Sequence, residues 1–266
     1  MTIKLAARIR RSALQMVYSA KASHIGSALS IADIVAVLYG NIMKLDSLNP
    51  SNPTRDRFIL SKGHACVALY AALADSCFFP LSDLETYGAD HSKLMNHVSH
   101  SVPGVEFSTG SLGHGLPYGV GKALGARIKK LSWRTFVLLG DGEMDEGSNW
   151  EALMFAAHHR LDNLVAIIDY NKIQSMDTVS NTLGIEPLAE KINAFGCVVK
   201  EIDGHDHNQL INAFSSYSES KPLVIIAHTV KGKGVSFMEN KVEWHYKNPD
   251  DTQLALALAE LEELNA

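Results

Sequence analysis

The residues best suited to chemistry in this sequence are a glycine-flanked aspartate and a scattered set of histidines. Gly140-Asp141-Gly142 follows the apolar run Val137 to Leu139 and precedes the acids Glu143, Asp145 and Glu146. Gly140 and Gly142 permit a tight turn and close backbone approach to a ligand, while Asp141 supplies a hard oxygen donor. Asn171 ends the next apolar run, Leu164 to Ile168 extended by Asp169 and Tyr170. A right-handed crossover between two parallel strands brings Asp141 and Asn171 to one rim of the sheet, where open α/β sheets form their sites. Two such oxygens suit Mg²⁺ completed by phosphate oxygens, and zinc is disfavoured by the donor types. Gly-Asp-Gly is also an ordinary turn, so strand context and spacing carry this reading.

The chain has twelve histidines, against nine Phe and eight Tyr. His24 in ASHIGS, His64 in SKGHA, His97 ahead of PGVE and His245 in EWH all lie near Gly, Ser or loop signals. Imidazoles can donate hydrogen bonds to a diphosphate, to a carbonyl oxygen becoming an alkoxide, or to hydroxyls whose protons must move. Taken singly, each also reads as a capping or surface residue. His158 and His159 sit near a helix C-terminus and read as dipole partners. His205 in DGHD, His207 and His228 carry no role from the residues alone.

The elements that must position these groups are legible as periodicity. Val137–Leu139, Leu164–Ile168, Val198–Ile202 and Leu223–Ala227 are short, continuous apolar runs, the pattern of buried parallel strands. Trp150, Leu153, Met154 and Ala157 recur at helical spacing between the first two, giving a βαβ unit over residues 135–169. Gly-rich loops at 104–115 and 231–234 punctuate the chain, and no repeat or composition shift marks a linker. The expected fold is a single α/β domain over residues 1–266, a doubly wound, mostly parallel sheet with helices on both faces. QLALALAELEELNA at the C-terminus reads as an acidic amphipathic helix for a surface or subunit contact.

With 266 residues, 46% hydrophobic and 20% charged, the chain can bury a sizeable core. Its 24 Lys+Arg against 29 Asp+Glu leave a net charge of −5, so no basic field exists for a nucleic-acid backbone. Cys66, Cys77 and Cys197 are odd in number and widely spaced, which fits a reducing cytoplasm rather than a disulfide framework. The most apolar stretch, Ser27 to Met43, contains Asp33 and is too short to cross a membrane. Residues 1–32 hold Lys4, Arg8, Arg10, Arg11 and Lys21 without an acid. That profile is shared with transit peptides. Ile3, Ala6, Ile9, Ala13, Met16 and Val17 instead make the stretch a basic amphipathic helix.

The segment GDGEMDEGSNWEALMFAAHHRLDNLVAIIDYNKIQSMD resembles the thiamin diphosphate signature of the transketolase family. KASHIGSALSIADIVAVLY, RFILSKGHACVALYAAL, PGVEFSTGSLGHGL, GIEPLAEKINAFG, EIDGHD and KGKGVSFMENKVEWH follow in family order, so the resemblance spans essentially the whole chain. It implies thiamin diphosphate with Mg²⁺ (or Ca²⁺), the metal being held by Asp141, Asn171 and the Ile173 carbonyl. It further implies cofactor contacts from Ser27, His64, Gly110, Ser111, Leu112, Gly142, Lys231 and His245, with catalytic roles for His24, His97, His245 and Glu146. His91 and His100 remain alternatives to His97. Two departures stand out: His114 occupies a usual Gln position, and Ile25 replaces the usual Pro after His24.

In this family a second domain supplies the glutamate that activates the cofactor's aminopyrimidine, and the resemblance covers only the diphosphate-binding half. The expectation is therefore one subunit of a split transketolase, paired with a pyrimidine-binding chain in an α2β2 assembly and facing that partner through Glu146. It would move a two-carbon ketol unit from a ketose or ketose phosphate to an aldose. Alternatives are the cofactor-binding subunit of a 2-oxo acid dehydrogenase type enzyme, and a non-catalytic assembly subunit.

Overall fold

A computed structural model describes residues 1–216 and 220–263. Five parallel strands pair in the order β1-β2-β3-β5-β4. They are β1 (Arg57–Leu60), β2 (Thr135–Gly140), β3 (Leu164–Tyr170), β4 (Val198–Asp203) and β5 (Leu223–His228). The three central strands carry the apolar runs without polar alternation, because both faces of the sheet are covered. β4 lies at the edge, and Lys200 and Glu201 there reach solvent.

Among the described residues ten helices flank the sheet: α1 (Thr2–Ala20), α2 (Ile25–Ser30), α3 (Ala32–Val37), α4 (Cys66–Asp75), α5 (Gly115–Ile128), α6 (Gly147–His158), α7 (Val179–Thr182), α8 (Leu188–Ala194), α9 (His207–Ser215) and α10 (Asp251–Glu263). Side chains alternate across the pleat. Phe136, Leu138, Ile167 and Ile225 join one core with α1 to α4, α9 and α10. Val137, Leu139, Ile168 and Ile226 join the other with α5, α6 and α8. The expected α/β sheet with helices on both faces is what forms.

Three details differ from the sequence reading. β1 was not among the expected strands, since it is four residues long and begins with an arginine. The inward face of α6 is Asn149, Ala152, Leu153 and Ala156, whereas Met154 is 55% exposed. Asn149 turns inward because its Nδ2 donates to the Glu143 carbonyl (2.6 Å), closing the turn that follows Asp141. In α1, Leu5 and Leu14 complete the buried stripe and Ile3 faces out at 62% exposure. The apolar 27–43 stretch folds into α2, α3 and a wide turn at Leu38–Ile42. Among the described residues no helix is long and apolar enough to cross a membrane, and the three cysteines are free. The C-terminal helix forms, with residues 264–266 outside those described.

Candidate active site

The C-terminal ends of β1, β2, β3 and β5 meet along one rim, and the loops leaving them build a cleft of about 250 Å³. Gly140 of β2 is in register with Asp169 of β3, which sets Asp141 beside the Tyr170–Asn171 end of the neighbouring strand. The two loops are then tied together. Asp141 accepts from the Gly142 amide (2.8 Å) and from the Lys172 amide (2.5 Å), and Asn171 Oδ1 accepts from the Ile173 amide (3.1 Å). Asp141 is only 4% exposed, and burial, reinforced by the nearby Asp169 charge, pushes its carboxyl up to about 6.

Asp169 anchors the rim from below. It is fully buried and accepts from Ser30 Oγ and Thr229 Oγ1 on one oxygen, and from Lys62 and Asn171 Nδ2 (2.9 Å) on the other. Burial alone would raise this carboxyl, but the Lys62 ammonium together with the Ser30 and Thr229 hydroxyls outweighs it and holds Asp169 below its ordinary value. Because the Asn171 amide nitrogen is committed to Asp169, its oxygen has a fixed direction.

Four histidines from four loops converge above this floor. The His24 ring lies 5.2 Å from His64, 6.0 Å from His97 and 5.0 Å from His245, centroid to centroid, and His64 and His245 are 5.7 Å apart. The His24 amide donates to the His245 carbonyl (2.7 Å), joining two loops more than two hundred residues apart. Burial, then the charges of neighbouring groups including Lys231 and Lys62, pushes His24 down to about 4 and His245 to about 3. Burial likewise holds His64 and His97 below the ordinary histidine value. In all four the direction of the shift favours the uncharged imidazole in the cofactor-free cleft. Lys231 Nζ donates to His245 Nδ1 (2.9 Å) and to the carbonyls of Ile173 (3.1 Å) and Gln174 (2.9 Å). An ammonium can only donate, so Nδ1 of His245 holds a lone pair and the proton sits on Nε2.

His24, Ser27, His64, His97, Gly110, Leu112, Asp141, Gly142, Asn171, Ile173, Lys231 and His245 all line this one cleft. Ser111 and Glu146 are exposed and lie outside its lining. Glu146 begins α6 and stands over Gly113, whose φ of +82° and lack of a side chain leave room for it. His97 and His100 are both exposed, but only His97 lines the cleft; His100 has its Nδ1 at 2.7 Å from Ser108 Oγ, and His91 sits in another surface depression. His114 is exposed at the start of α5, and Ile25 is buried in the first turn of α2.

Lys62, Glu143, Gln174, Ser175 and Tyr246 also line the cleft and carried no assignment from the sequence. A lysine two residues after the apolar run Phe58–Leu60 was the available signal for Lys62. Glu143 is buried, accepts from Ser61 Oγ and from the Gly113 (2.9 Å) and Gly140 (3.2 Å) amides, and so fastens the Gly-rich loop to the Asp141 turn.

The donors fit a magnesium-bound diphosphate. Asp141 is a buried carboxylate with no paired cation among the described residues, Asn171 presents an oriented amide oxygen, and the Ile173 carbonyl lies in the same loop. Carboxylate, amide and main-chain oxygens are the hard ligands this ion prefers, with phosphate completing the shell. Lys231 faces the same cleft with its three N–H groups shared among the Ile173 and Gln174 carbonyls and His245 Nδ1, so an anionic oxygen there would take over one of those donors, and the imidazole N–H groups stand beside it.

Residues 2–258 match the family model described as "Transketolase, thiamine diphosphate binding domain". An apulose-4-phosphate transketolase subunit from Phocaeicola vulgatus is 42% identical over 96% of this chain and 91% of that protein. The 6-deoxy-6-sulfo-D-fructose transketolase subunit of Clostridium sp. is 40% identical over 97% and 95%. Homo sapiens transketolase is 40% identical over 90% of this chain but only 38% of its own length. The transketolase structure from Campylobacter jejuni superposes with a TM-score of 0.90 at 32% identity, covering 98% of this chain and 43% of that one. The chain thus spans less than half of these long relatives and nearly all of the short ones. With its sequence, its fold and its cleft in agreement, the chain belongs to the transketolase family.

Proposed function

We propose that this chain is the diphosphate-binding subunit of a two-chain transketolase, its residues 1–266 forming one domain. The observation that carries the reading is the convergence, in one cleft, of the Asp141, Asn171 and Ile173 oxygens with Lys231 and four histidines. When bound, thiamin diphosphate supplies the carbanion chemistry of two-carbon transfer. Asp141, Asn171 and the Ile173 carbonyl would hold its Mg²⁺ (or Ca²⁺), and Lys231, His64 and His245 its phosphate oxygens. Ser27, Gly110, Ser111, Leu112 and Gly142 would complete the cofactor contacts.

His24, His97 and His245 would meet the oxygens of a ketose or ketose phosphate. In its uncharged form an imidazole can both donate a hydrogen bond to a carbonyl oxygen and relay hydroxyl protons without adding charge to the cleft. The short relatives are named as subunits rather than as whole enzymes, and this supports a partner chain that brings the pyrimidine-binding domain and its activating glutamate. Glu146, exposed beside the Gly-rich loop, would face that partner in an α2β2 assembly in the cytoplasm. Ketol transfer should be absent from the isolated chain and appear on mixing it with the partner. Full activity from the isolated chain would overturn the two-chain reading.

A further inference from the structure

The DGHD histidine, His205, received no function from the sequence, and the cleft does not contain it. It belongs to a buried cluster centred on Asp33 of α3. That carboxylate accepts from four directions: Arg10 NH1 (3.1 Å) and NH2 (2.6 Å), His205 Nδ1 (2.7 Å) and His207 Nε2 (3.1 Å). Burial would raise this carboxyl, but the hydrogen bonds from His205 and His207 and the Arg10 charge hold it well below its ordinary value. Because the carboxylate only accepts, His205 must donate from Nδ1, which leaves a lone pair on Nε2. That lone pair takes the Val230 amide proton at 2.8 Å. Arg10, the second arm, donates from Nε to the Lys233 carbonyl at 3.0 Å.

Val230 and Lys233 flank Lys231. The same loop is fixed by Thr229 Oγ1 on Asp169 and by the Gly232 amide on the Gly26 carbonyl (2.9 Å). We infer that Asp33, through His205 and Arg10, forms a two-armed clamp that sets the 229–234 loop so that the buried Lys231 ammonium reaches the Ile173 carbonyl and His245. His205 is thus a positioning residue for the phosphate-binding lysine, acting from outside the cleft. This rests on the reading of Lys231 as a diphosphate contact under Proposed function.

The clamp makes a claim about one amide, so it can be tested on the full chain, alone and with its partner. Calorimetric titration with thiamin diphosphate and Mg²⁺ should give a dissociation constant about tenfold weaker for His205→Asn, which is too short to reach Val230, the scale expected for one lost oriented hydrogen bond. His205→Gln, whose amide oxygen can take the Val230 proton, should recover most of the affinity. Hydrogen exchange of the 229–234 segment in the cofactor-free chain should quicken in His205→Asn and much less in His205→Gln. In a Lys231→Ala background, His205→Asn should add no further loss, the signature of action through that lysine. Unchanged affinity and exchange in His205→Asn, with wild-type binding intact, would overturn the clamp and leave the cofactor reading standing. A full additional loss in the Lys231→Ala background would overturn it too, and failure of the wild type to bind would overturn both.

Discussion

Replacing Asp141 with Asn should change the cofactor-free protein in a way that depends on pH. In the fold the Asp141 carboxyl is moved from 3.8 up to about 6, first by burial and then by the Asp169 charge. A carboxyl whose folded value lies above its unfolded one contributes stability that is fully present below the unfolded value. That contribution is lost as pH rises through the folded value. At about 1.36 kcal/mol per pH unit, the gap amounts to about 3 kcal/mol. The ionised form present at pH 8 is therefore a buried cost of about this size. Asn carries no such cost, although it keeps only one acceptor for the Gly142 and Lys172 amides, a pH-independent loss of about 1–3 kcal/mol. The stability of Asp141→Asn relative to wild type should thus improve by about 2 kcal/mol between pH 4 and pH 8, since at pH 4 the unfolded carboxyl is already partly ionised. Urea unfolding in the presence of a chelator measures this directly. A stability difference that is flat across that range would refute the burial argument for Asp141 and remove the reason that this carboxylate seeks a cation.

Other perturbations probe the groups around it. Lys62→Met strands Asp169, which is fully buried, and should cost about 3–5 kcal/mol in denaturant unfolding; a loss below about 1 kcal/mol would contradict the pairing. Gly63→Ala puts a carbon 2.5 Å from Thr109 Oγ1 and 2.7 Å from its carbonyl oxygen, so it should cost about 1–3 kcal/mol and force the His64 and Gly110 loops apart, weakening thiamin diphosphate binding in calorimetry. Tyr70→Phe removes the hydroxyl that donates to the Met95 (3.1 Å) and His97 (3.0 Å) carbonyls; it should raise the KM for the ketose in the assembled enzyme while leaving cofactor affinity unchanged, and the reverse pattern would show that His97 does not serve the substrate.

Much of this site is legible in the sequence because its oxygen donors follow continuous apolar runs. Runs such as Val137–Leu139 and Leu164–Ile168 admit few structures other than buried parallel strands, and strand ends fix where Asp141 and Asn171 must lie. The histidine constellation is different in kind. Nothing in the spacing of His24, His64, His97 and His245 announces that they meet, and only the resemblance to a family brought them together before the fold did. What stayed hidden depends on rotation and on long-range pairing. Helical period placed α6 but left its inward face one residue out, because a hydrogen bond from Asn149 rather than hydrophobicity chooses that face. Lys62 and Asp169 are 107 residues apart and oppositely charged, a pattern that ordinarily describes two surface residues, yet Lys62 is 2% exposed. Only the packing of α2 and the β1 loop over the end of β3 reveals them as the floor of the cleft.

The central claim is that this cleft binds a magnesium-bound diphosphate through Asp141. Its most direct test is calorimetric titration of the chain with thiamin diphosphate, with Mg²⁺ and then with chelator, on wild type and Asp141→Ala. Saturable binding that requires the metal and disappears in Asp141→Ala is the predicted result. Binding that survives the chelator or the Asp141→Ala substitution, or no binding by the wild type with its partner present, would contradict the account.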